Sequence, residues 1–93
     1  MTINFEIIEK ENIETLKFPH NEVLNDETAI SQRKTELEQA LSLGHLEHSK
    51  IQIYFEDDLS QKMVETTIWA LTDDSVVLKK GVGIPINRIL KIS

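Results

Sequence analysis

The sequence predicts an α+β fold, in which an N-terminal segment and one amphipathic helix pack on a small, curved antiparallel β-sheet or barrel. Three observations predict it. A capped run with helical apolar spacing leads up to Gly44. After Gly44 the apolar period changes from helical to alternating. Short polar turns, among them TDDS and Lys80-Gly81, then divide the alternating stretches. The 93 residues are expected to form a single domain, 1–93. Residues 1–24 read as an extended, strand-like segment, 25–44 as the helix and 45–93 as the small barrel-like region.

In the first segment, Ile3, Phe5 and Ile7 alternate and suggest a strand. Ile13, Leu16 and Phe18 fit neither period, so that a short helical turn and a second strand are both open, and Pro19 ends whatever precedes it. Asn25 or Asp26 can cap the helix, and Asp26 and Glu27 suit its positive end. Ile30, Leu37, Ala40 and Leu41 form its apolar stripe over about residues 26–43, leaving Arg33, Lys34, Glu36 and Glu38 toward water. Gly44 is placed to end it in a left-handed conformation.

The strands follow. Ile51, Ile53 and Phe55 share one face, and Gln52, Tyr54 and Glu56 the other. EDDLSQ reads as a solvated turn. In VETTIWAL, Val64, Thr66, Ile68 and Ala70 share a face, and apolar residues on both faces predict a strand that is covered twice or strongly bent. After TDDS, VVLKK is a short strand. Val82, Ile84 and Ile86 alternate opposite Pro85, which marks an edge. Leu90 and Ile92 alternate around Lys91 in the last strand.

From Lys50 to Ser93 the chain resembles the small five-stranded barrels of the Sm-like and SH3-like kind. The helix before the first strand, the long middle strand Val64–Thr72 and the ending IPINRILKI carry the resemblance. Lys80-Gly81 is similar to the basic-Gly pair of Sm-like RNA binders, but TDDS lacks the Asn of their first loop. Acidic Sm-like proteins include the Rho-binding antiterminators, which engage an RNA-binding enzyme; the resemblance therefore implies a protein partner as readily as RNA.

Charge is divided unevenly. Residues 1–75 hold six basic and sixteen acidic side chains, a balance of −10, whereas residues 76–93 hold four basic and no acidic ones, a balance of +4. With no Cys, disulfides and thiolate chemistry are excluded. The start, MTINFEIIEKEN, does not have the pattern of a signal peptide, and no apolar run is long enough to span a bilayer. The expectation is a cytoplasmic, non-enzymatic binding or regulatory module with no cofactor and no membrane association. It would engage a protein partner through its acidic surface.

The candidate partner-binding residues are Trp69, Tyr54, Lys79, Lys80, Arg88 and Lys91. Trp69 beside Tyr54 could form a stacking platform or hot spot, although packing of Trp69 beneath the helix around Leu37 and Leu41 is the preferred expectation. The four basic residues could contact the phosphates of a nucleic acid, the second reading, or pair with acids such as Glu56 and Glu65. A third reading gives His45 and His48, with His20, a metal site or a small enzyme's chemistry. Self-association of the N-terminal strand is left open.

Overall fold

The computed structural model describes residues 5–47, 50–78 and 81–93, except for the side chains of residues 44–47. Among the described residues, one α-helix and seven strands in two sheets give an α+β architecture. The strands are β1 (Glu6–Ile7), β2 (Ile51–Glu56), β3 (Gln61–Thr66), β4 (Ile68–Leu71), β5 (Ser75–Leu78), β6 (Gly83–Pro85) and β7 (Ile89–Ile92). Helix α1 spans Glu27–Glu47, and 3-10 helices occupy Lys10–Thr15 and Ile86–Arg88.

The first sheet has the order β1-β3-β2-β7 and the second β4-β5-β6. All pairings are antiparallel except β1 with β3, so the first sheet is mixed rather than purely antiparallel. The sheets are curled, and they do not join into a closed barrel. The stretch VETTIWAL breaks at Thr67, where the chain leaves one sheet for the other. Val64, Thr66 and Ile68 keep one inward face across that break, as their alternation predicts. A bent strand can thereby serve two sheets while its apolar side stays in one core.

The core joins Ile13, Leu37, Ile53, Phe55, Val64, Ile68, Val76, Leu78, Ile84 and Ile89. Phe55 is fully buried, and truncating such a ring to Ala typically costs about 3–5 kcal/mol. Pro85 lies on β6 at a sheet edge, where its missing donor does no harm. At the last strand the pairing shifts register beside Tyr54 and Phe55. Consequently Ile89 is the fully buried residue of β7, and Ile92 packs on the core, whereas the alternation had singled out Leu90.

Helix α1 starts as its cap predicts: the Asp26 carboxylate accepts the Thr28 N–H at 3.1 Å. It does not stop at Gly44 but continues to Glu47. Its apolar stripe has an unexpected member. Arg33 is three residues after Ile30 and four before Leu37, on the same face, and is 5% exposed rather than turned to water.

Ile3 lies outside the described residues, and residues 5–24 are not simply strand-like. Beyond the two residues of β1 the chain forms the 3-10 helix that buries Ile13. In β1, Ile7 is exposed, while Ile8 packs against the core. No helix among the described residues is long and apolar enough to cross a membrane.

Candidate functional site

Three cations, of which the sequence placed only Arg33 toward water, are held inside the molecule. Arg88, the last residue of its 3-10 helix, is 3% exposed. Its Nε donates to the Glu56 carbonyl at 3.1 Å, and its Nη1 to the Asn21 carbonyl at 2.8 Å. Nη2 donates to the Glu56 carboxylate and to the Asp57 carbonyl, each at 3.3 Å. Of the two alternatives open to Arg88 in the basic ending, the structure places it in the internal pairing with Glu56.

Arg33 has the same role one layer away. Its two terminal nitrogens grip both Glu22 oxygens, at 2.7 and 2.6 Å, and one of them also donates to the Ile89 carbonyl. Around these arginines runs the otherwise irregular chain at residues 20–24. Asn87 donates to the His20 carbonyl, and the Val23 N–H donates back to Asn87. The segment is therefore ordered by side chains distant in sequence rather than by its own propensity.

The third cation is Lys62. The EDD stretch is not a solvated turn throughout, because Asp57 is 2% exposed and lies 2.6 Å from the Lys62 ammonium. Asp57 also accepts the N–H groups of Leu59 and Ser60, closing the turn between β2 and β3. Lys62 also donates to the Ser60 hydroxyl and has Glu6 at 3.7 Å.

These pairs set a pH dependence. Burial alone would raise the Asp57 pKa, but Lys62 and the two backbone amides together hold it below its ordinary 3.8. For Lys62, burial works to lower the pKa, yet Asp57 and Glu6 outweigh it and raise it above 10.5. The hydrogen bonds from Arg33 lower Glu22 below 4.5, against burial. A depressed carboxyl pKa contributes stability that is present above the unfolded value and lost as pH falls through the folded one. A raised ammonium pKa contributes stability that is present below the unfolded value and lost as pH rises through the folded one. Denaturant unfolding across pH should therefore show a plateau, declining below the carboxyl values and again above 10.5. Asp57→Asn should flatten the alkaline limb, since Asp57 is the main group raising Lys62.

The other candidates are distributed over both sheets. Tyr54 lies on the outer face of β2, where Phe5 meets it edge-on at 4.7 Å and the Lys91 ammonium sits 4.8 Å from its ring centre. Trp69 is on β4 in the other sheet and is 51% exposed. It is not buried beneath the helix as preferred from the sequence; its neighbour Ile68 fills the core, and the pairing of β4 with β5 shifts register between Ile68 and Ala70, at the indole. Lys79, Lys80 and His48 lie outside the described residues, as does the His45 side chain. Among the described residues no group of three or more acids and histidines is arranged to hold a metal ion.

The clearest concavity was not legible from the sequence. Helix α1 and the β4–β5 turn enclose a groove of about 550 Å³, open to solvent on one side. Its lining combines Ile30, Leu37 and Leu41 of the helix with Leu71 and Ile86 from the sheet side. Lys34, Glu38, Thr72 and Asp73 complete it. A second hollow, bounded by His20, Asp74, Ser75 and Asn87, continues it and shares Arg33, Asp73 and Ile86. Its size suits one or a few side chains or a small ligand. No protein-family model matches the chain, and no curated protein or solved structure shows significant similarity to it.

Proposed function

We propose that the protein is a non-enzymatic binding or regulatory module that engages a basic partner protein through its acidic surface. The observation that carries this reading is the net charge of −6, which one-to-one internal pairing leaves unchanged on the exterior. Arg33, Lys62 and Arg88 are spent inside, in pairs with Glu22, Asp57 and Glu56. Among the described residues the exposed acids, including Glu6, Glu14, Glu27, Glu38, Glu65 and Asp73, outnumber the exposed cations Lys17, Lys34, Lys50 and Lys91. Such a surface attracts a cationic patch over several ångströms and repels polyanions. The element order from β2 to β7, with a 3-10 helix before the last strand, supports an open relative of the small Sm-like or SH3-like barrels as the frame.

The test is affinity capture with the tagged full chain in low and high salt. The expected result is a partner with a basic surface that elutes as salt rises. Recovery of no salt-sensitive protein would overturn the reading. So would short RNA retained by the wild type and lost on Lys91→Glu, which would favour the nucleic-acid alternative instead.

A further inference from the structure

The groove between α1 and the β4–β5 turn combines three features. Its wall is aliphatic, and Ile30, Leu41, Leu71 and Ile86 are only partly buried there. Its rim is acidic, with Glu38 on the helix and Asp73 and Asp74 on the turn against Lys34 alone, because the Arg33 charge is neutralised by Glu22. Arg33 lines both hollows, and its Nε is a buried nitrogen with no hydrogen-bond partner, although both terminal nitrogens are engaged.

The first two features select the occupant. The aliphatic wall gains by covering with another aliphatic side chain. The acidic rim draws cations to either side and turns away phosphates and carboxylates. The Arg33 Nε is out of solvent's reach, so it reports on the groove wall without contacting the occupant. We infer that the groove takes a segment of a partner protein carrying a leucine-like side chain between basic residues. The inference rests on the reading of the acidic surface as protein-binding and adds where, and by what chemistry, the partner docks.

The probes are three short synthetic peptides: leucine between lysines, leucine between glutamates, and serine between lysines. Titrated into the isotope-labelled full chain, the first should shift the amides of Lys34, Leu41, Leu71 and Asp73 and the Arg33 Nε–H. The other two should bind more weakly. Reversing the two exposed rim charges, Glu38→Lys with Asp73→Lys, should weaken the first peptide about tenfold and leave the unfolding midpoint in place. Glu65→Lys, on the other sheet, should leave its affinity unchanged.

Shifts confined to other faces, no shifts at all, or equal weakening by Glu65→Lys would overturn the groove as the site. In the capture experiment, a salt-sensitive partner held equally by the wild type and the rim double variant would also overturn it, while leaving the acidic-surface reading standing. Loss of every salt-sensitive partner from the wild type would instead remove the reading itself.

Discussion

Asp57→Ala should destabilise the fold by about 3–5 kcal/mol, because it leaves a buried ammonium without its counter-charge. Lys62 is 5% exposed, and the substitution leaves it the Ser60 hydroxyl at 2.7 Å and the more distant, exposed Glu6. A chain of this size has a total stability of roughly 5–15 kcal/mol, so that the loss is a large share of it. Lys62→Met should cost less. Asp57 would keep the amides of Leu59 and Ser60, and the methionine stem would fill most of the vacated space beside Phe55, which opposes Lys62 across the strands. The double variant should lose less than the sum of the two, since neither charge is then stranded. Urea unfolding with constant slope measures all three. Losses below about 1 kcal/mol for Asp57→Ala would mean that the pair behaves as an exposed surface bridge.

Arg88→Met should be comparably damaging, by about 3–5 kcal/mol, through a different cause. The carbonyls of Asn21, Glu56 and Asp57 would lose a donor at once. Arg88→Lys should rescue little, because one ammonium cannot reproduce a planar fork serving the end of β2 and the segment at Asn21 together. The loss should be local before it is global. Amide exchange at Val23, whose N–H is held by Asn87 next door, should accelerate more than exchange at Ile53 in the first sheet. Full stability of Arg88→Met would show that the basic ending is a surface feature after all.

The fold was legible where local pattern and tertiary environment agree. Ile51, Ile53 and Phe55 alternate because one face of β2 lies on the core, and Asp26 caps because the next residues are helical. Charged residues misled for a common reason. Arg33 has the spacing of the apolar stripe, and Asp57 follows Phe55 at the strand period, so that position placed both inside while residue type argued for water. A partner was needed to settle each case. Arg33 pairs with Glu22 and Arg88 with Asn21, at separations of 11 and 67 residues, and no local rule connects such positions. Gly44 misled in the opposite sense, because glycine permits a helix to end without requiring it.

The groove was illegible for a related reason. Its wall comes from α1, β4 and the 3-10 helix at Ile86, and only the packing of α1 on β4 brings them together. Trp69 shows the limit of reasoning from covered faces. A helix packs on β4, yet the indole, at the irregular pairing of that strand, stands exposed.

The internal pairing of Arg88 decides whether it belongs to the fold or to the basic ending as a surface cation. The chain has two arginines, Arg33 and Arg88, so its arginine Nε–H spectrum is simple to assign. In the fold the Arg88 Nε–H is buried and donates to the Glu56 carbonyl at 3.1 Å. Its signal should therefore persist through solvent exchange at mildly alkaline pH, well after that of free arginine has vanished. Exchange of the Arg88 Nε–H at the free rate would contradict the burial and return Arg88 to the basic ending as a surface cation.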